Sequence, residues 1–137
     1  MNYSFNLSCQ TSSLSELRSF LQRTLTVFSL TESEKHQVTL AVEEVCANLI
    51  IHSHGCNPND QIHLEVKNMT EGLIFEITDQ GVAFNILEYE VPDLKKVMVE
   101  RRKGGLGIIL IKKIMDEIEF ESTNGKNICR LIKRFQS

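Results

Sequence analysis

Residues 41–55, AVEEVCANLIIHSHG, decide how the rest of the chain is read. At about 100° per residue, Val38, Val42, Val45 and Leu49 fall on one helix face, with Ala41 and His52 beside them. That face is expected to meet the core. Glu44 and Asn48 are one turn apart and share a second stripe, about a quarter-turn round. Leu40 and Ile51 lie near that stripe, so a carboxylate and a carboxamide sit in partly apolar surroundings. A solvated helix face carries the same pattern, and the rest of the chain has to separate the two readings.

Thr31-x-x-Glu34 reads as a capping box that opens this helix, and Gly55 and Pro58 end it. Upstream, Tyr3, Phe5, Leu7 and Cys9 alternate with Asn2, Ser4, Asn6 and Ser8, the pattern of a strand with one wet face. Ser13-x-x-Glu16 reads as another capping box. Leu14, Leu17, Leu21, Leu25 and Phe28 then predict an amphipathic helix to about Phe28.

Downstream, Ile62, Leu64 and Val66 predict a strand from about Gln61 to Asn68. Thr70-Glu71-Gly72 turns the chain into a second strand through Leu73, Phe75 and Ile77, an antiparallel hairpin. That strand runs into Asp79-Gln80-Gly81-Val82-Ala83-Phe84. Periodicity weakens from Asn85 to Lys103. Gly104-Gly105-Leu106-Gly107 then precedes a helix with a wide apolar face, Ile108 to Met115, expected to be mostly buried. Ile118 and Phe120 alternate with glutamates, Asn124-Gly125 signals a hairpin, and Ile128, Leu131, Ile132 and Phe135 lie in a final strand. The order β-α-α-β-β-loop-α-β-β predicts one α+β domain over residues 1–137. It is a two-layer α/β sandwich, with a mostly antiparallel sheet and helices on one face.

A chain of 137 residues can bury a sizeable core, and 42% hydrophobic with 24% charged is ordinary globular composition. A net charge of −3 argues against bulk attraction to nucleic acid. No run is long enough to span a membrane, and MNYSFNLSCQ has neither the basic nor the apolar region of a signal peptide. Cys9, Cys46 and Cys129 fall in apolar patterns and read as buried free thiols, which with Cys56 fit a reducing, cytoplasmic setting.

Two features have chemical potential beside the central helix. Gly104, Gly105 and Gly107 let backbone approach a ligand, and the first N–H groups of the following helix suit a phosphate; a plain tight connection is the other reading. Asp79, placed just past a strand end, could accept a hydrogen bond from a ligand's amino group or simply shape a turn before Gly81. His52, His54 and Cys56 offer zinc-ligating types without a fourth ligand nearby. Arg101-Arg102-Lys103 reads equally as a phosphate or partner contact and as a solvated charge run.

Glu44-x-x-x-Asn48, Asp79-x-Gly81-x-Ala83-Phe84 and Gly104-Gly105-Leu106-Gly107, in that order, resemble the GHKL superfamily of ATPases, which includes gyrase, heat-shock chaperones and histidine kinases. Asn48-Leu49-Ile50-Ile51-His52 and GGLGIILIKKIMDEI look like its small branch, the anti-sigma-factor serine kinases of bacteria. The resemblance covers nearly the whole chain. It implies ATP and Mg²⁺ as cofactors, with Asn48 as the metal ligand and Glu44 as general base. It implies that Asp79 takes the adenine amino group and Gly81 lets the backbone pass the base. Gly105 and Gly107, with neighbouring N–H groups of Gly104 and Leu106, would hold the phosphates. The resemblance places Ala83 and Phe84 beside the nucleotide as well; Ala83 stands where the pattern has a second glycine, and its methyl group is either tolerated there or crowds the nucleotide. The resemblance further implies a sigma factor and an anti-sigma-factor antagonist as partners, the latter phosphorylated on serine, and a homodimer. A nucleotide-binding partner-switching module without phosphotransfer is the alternative.

Overall fold

The computed structural model describes residues 3–81 and 105–135. Strand β1 (Tyr3–Ser8) leads into helices α1 (Ser13–Leu25) and α2 (Glu32–Asn48), followed by a π-helical turn (Leu49–Ser53). Strands β2 (Gln61–Met69) and β3 (Gly72–Gln80) come next, then α3 (Gly105–Ile114), β4 (Glu117–Thr123) and β5 (Lys126–Arg134). The sheet order is β1-β2-β3-β5-β4, and each neighbouring pair is antiparallel.

Strand alternation fixes which side of the sheet meets the helices. One cross-strand row runs Phe5, Leu64, Ile77, Cys129, Phe120, and another runs Tyr3, Val66, Phe75, Leu131, Ile118. These side chains join Leu17, Leu21 and Leu25 of α1 and Val38, Ala41, Val42 and Val45 of α2 in one core. Each fully buried Leu, Ile or Phe contributes about 1.5–3 kcal/mol. Phe5 stacks on Phe20 of α1 at 5.1 Å, and Tyr3 meets Phe28, just past the end of α1, edge-on at 6.0 Å, which pins α1 and the segment leaving it over β1. The opposite face carries charge: Glu65, Glu76, Arg130 and Glu119 stand side by side across four strands.

The expected α+β sandwich with helices on one face is therefore the fold observed. Thr31 makes its capping box: Glu34 N–H donates to Thr31 Oγ1 at 3.1 Å, and Thr31 N–H donates to Glu34 Oε1 at 3.0 Å. Asn124 and Gly125 both have positive φ, 54° and 77°, as a two-residue hairpin turn requires. The capping box expected at Ser13 does not form. The N–H groups of Ser13 and Leu14 donate instead to the carbonyls of Gln10 and Thr11 in a preceding turn, and Ser13 Oγ pairs with Ser8 Oγ at 3.0 Å. With backbone acceptors in place, no side-chain cap is needed. Helix α1 also stops at Leu25 rather than near Phe28, and on α3 Leu110 is exposed while Ile111 and Ile114 are buried.

Candidate functional site

The last turn of α2 carries the first pair of residues. Asn48 is buried, and its Nδ2 donates to the backbone carbonyl of Glu44 at 2.8 Å. A carbonyl only accepts, so the amide nitrogen is held on that side and Oδ1 stays available as an acceptor. Glu44 is half-buried, and burial, reinforced by the adjacent Glu43 charge, pushes its carboxyl above the ordinary range. Glu43 is itself buried and accepts a 2.8 Å hydrogen bond from Arg18 Nε of α1.

At Asn48 the α-helix gives way to the π-helical turn, which closes with His54 N–H donating to Leu49 C=O at 3.0 Å. Such wider turns recur at functional sites because they displace the following side chains from α-helical positions. Here the displacement brings His54 to the end of β3. His54 Nε2 lies 2.7 Å from Asp79 Oδ2, and Nδ1 lies 2.9 Å from Asp60 Oδ2. Burial lowers the His54 pKa, but its bonds to Asp60 and Asp79 outweigh that and raise it. Burial raises the Asp79 carboxyl, while hydrogen bonds from His54 and Asn127 partly hold it back. Asp79 does not sit past the strand, as its sequence suggests. It lies within β3, opposite Asn127 of β5, on the helix-facing side and almost wholly buried.

Gly81 has φ +119°, a conformation that requires glycine, and a Cβ there would lie 3.7 Å from His54 Cε1. Its N–H donates to Gly125 C=O at 3.1 Å and its carbonyl accepts from Asn127 Nδ2 at 3.2 Å. The β3 end is thereby tied to the β4–β5 hairpin. Gly105, Leu106 and Gly107 form the first turn of α3, where backbone N–H groups lack intrahelical acceptors, and α3 packs against α2. Ala83, Phe84 and Gly104, and the basic run 101–103, lie outside the described residues.

An open cleft of about 380 Å³ borders His54, Asp60, His63 and Asp79. A larger groove of about 510 Å³ runs between α1 and α2 past Arg18, Lys35 and Glu43, away from the expected site residues. Among the described residues no group of three His, Cys, Asp or Glu side chains is arranged to hold a metal. A cation beside Asn48 would rest on one amide oxygen plus oxygens of a bound phosphate and water, a donor set that fits Mg²⁺. Both ring nitrogens of His54 are engaged by carboxylates, so it is not a free zinc ligand.

His54, Asp60 and Asn127 are the residues that the sequence did not mark as companions of Asp79. Asp60 follows His54 by six positions, but Asp79 and Asn127 are distant in sequence and meet through sheet register. The available signal was the oddity of a histidine just past the end of an amphipathic helix.

These features define a class. Residues 7–133 match the histidine kinase-like ATPase domain family, and the chain belongs to that family. It is 27% identical over 131 residues to the anti-sigma F factor of Geobacillus sp. (strain WCH70), covering 92% of this chain and 89% of that protein. It is 30% identical over 121 residues to the anti-sigma F factor of Bacillus cytotoxicus, covering 85% and 82%. Among solved structures, the RsbU and RsbW domains of Rv1364c from Mycobacterium tuberculosis align with a TM-score of 0.69 at 12% identity. That alignment spans 98% of this chain but only 32% of the longer one. The SiaB–SiaC complex from Pseudomonas aeruginosa aligns with a TM-score of 0.65 at 15% identity, over 95% and 88%. At those identities the structural likeness speaks for the fold.

Proposed function

We propose that this chain is an anti-sigma regulatory factor with ATP-dependent serine protein kinase activity, which phosphorylates an antagonist protein and sequesters a sigma factor. The observation that carries the reading is the pair at the end of α2: Glu44, half-buried with a raised pKa, one turn from a buried Asn48 whose nitrogen is already spent. A carboxylate moved toward neutrality is suited to take the proton of an attacking serine hydroxyl. Asn48 would hold Mg²⁺ through Oδ1, and the ion would neutralise phosphate charge. Asp79 would accept a hydrogen bond from the adenine amino group, with Gly81 keeping the backbone clear of the base. Gly104, Gly105, Leu106 and Gly107 would present N–H groups to the phosphates. The anti-sigma F factor relatives support the partner classes, and a homodimer in the cytoplasm belongs to the same reading.

Incubating the protein with labelled ATP, Mg²⁺ and candidate antagonist proteins tests it. Label on an antagonist serine is the expected result; ATP binding without transfer would favour the second reading, a nucleotide-dependent binding module. Ala83 in place of a glycine is the observation on that side.

A further inference from the structure

Three acidic or basic groups share two short contacts at the end of β3. His54 Nε2 is 2.7 Å from Asp79 and Nδ1 is 2.9 Å from Asp60. A carboxylate only accepts, and a neutral imidazole carries one N–H. Two such hydrogen bonds therefore need two protons across the three groups. Either an imidazolium stands between two carboxylates, or a neutral imidazole faces one protonated acid.

The surroundings set what is at stake for Asp79. The side chains of His54 and Asp79 are 3% and 2% exposed, whereas Asp60 is 42% exposed. A carboxylate so buried, without a counter-charge, takes up a proton, because burial penalises the ionised form. The thiols within reach of its charge offer no compensation. Cys9 and Cys129 are pushed up to about 11 and about 12, and Cys46 is pushed up as well, chiefly by burial, so all stay neutral. Asn127 adds a neutral hydrogen bond. His63, across the cleft, has its Nδ1 paired with Asn6 Oδ1 at 2.6 Å. Among the described residues His54 is the basic group in direct contact with Asp79, its bonds to Asp60 and Asp79 raise its pKa against the effect of burial, and Asp60 backs it from the other ring nitrogen.

What Asp79 can recognise depends on its proton. An ionised Asp79 accepts hydrogen bonds and suits an exocyclic amino group; a protonated one also donates and suits a carbonyl. We propose that His54, backed by Asp60, is a positioning residue that keeps Asp79 in its accepting form and so sets the preference for a 6-amino over a 6-oxo purine. This rests on the reading of Asp79 as the base-recognising residue. The sign follows from the environment: burial raises the Asp79 carboxyl and His54 restrains it. Removing His54 lets it rise further, so the accepting form is lost at higher pH than in the wild type.

The test is calorimetric affinity for ATP and for GTP across about pH 5 to 8, read as their ratio so that phosphate titration cancels. Wild type should favour ATP at neutral pH, with the preference fading toward acid. His54→Phe should cut the neutral ratio by about tenfold or more and move the fading to higher pH. His54→Gln, which keeps a neutral donor for Asp79, should recover part of the ratio. Asp60→Asn, at a partly exposed position, should shift the profile the same way by less. Wild-type ratios at every pH in both His54→Phe and Asp60→Asn overturn the proposal. If His54→Phe does not fold, Asp60→Asn decides alone. No ATP binding by wild type, or an unchanged ratio in Asp79→Asn, removes the base-recognition reading itself, and that failure is visible without touching His54.

Discussion

The carboxamide nitrogen of Asn48 is bonded to the backbone carbonyl of Glu44 at 2.8 Å, so the two residues proposed as metal ligand and base share one rigid helical turn. They should nevertheless fail differently. Asn48→Ala removes the metal-facing oxygen, and both ATP·Mg²⁺ binding and phosphotransfer should be lost. Glu44→Gln keeps the shape and one acceptor oxygen but cannot take a proton as a carboxylate does. Nucleotide should still bind while phosphotransfer falls by about 10²–10⁴. Measuring affinity and serine phosphorylation on both variants checks this; wild-type transfer by Glu44→Gln would remove it as the base.

On the outer sheet face, Glu76 accepts from Arg130 Nε at 3.0 Å and from Lys67 Nζ at 3.3 Å. Burial raises the Glu76 carboxyl, but these bonds more than offset it and leave the pKa lowered. A depressed carboxyl contributes stability that is present above its unfolded pKa and lost as pH falls through the folded value. Glu76→Gln should therefore cost about 1 kcal/mol at neutral pH and almost nothing in strong acid, with a smaller effect in high salt. Urea titrations of both proteins at neutral and acid pH measure it.

The fold was readable where one local rule governed each element. Thr31 and Glu34 meet because both lie in one helical turn, and Asn124-Gly125 turns because its residues tolerate positive φ. The same rule failed at Ser13, where backbone carbonyls of the preceding turn took the role assigned to a side chain. At the site, Glu44 and Asn48 were legible because helical spacing joins them. The His54–Asp79 contact was not, because it depends on a change from α to π geometry and on β3 reaching the same point in space. Spacing within one segment carries no trace of either.

Glycine substitutions should separate steric from conformational cost. A Cβ on Gly72 would lie 2.2 Å from the backbone oxygen of Lys133 in the adjacent strand, so β3 and β5 would have to part. A Cβ on Gly125 meets nothing within 4 Å, and its cost comes from φ +77° alone. Gly125→Ala should lose about 1–2 kcal/mol, and Gly72→Ala distinctly more. Thermal melting of the two variants gives the order, and equal losses would contradict it.

The cysteines provide a built-in reporter of unfolding. Cys9, Cys46 and Cys129 are buried free thiols, and Cys56 is exposed. Burial pushes the Cys9 thiol up to about 11 and Cys129 up to about 12, and raises Cys46 as well, so the reactive thiolate is scarce as well as shielded. A thiol reagent at mildly alkaline pH should modify Cys56 quickly and the other three only as the chain opens. A ligand that binds the native state makes opening rarer, so ATP with Mg²⁺ at about 100 times its Kd should slow the three slow reactions by about a hundredfold if they proceed through global unfolding. The Cys56 rate reads exposure near the π-helical turn, and the slow rates read global stability. Mass spectrometry of the labelled sites over time distinguishes them. Rapid modification of Cys46, the buried thiol on α2 one turn from Glu43, would contradict the packing of that helix against the sheet.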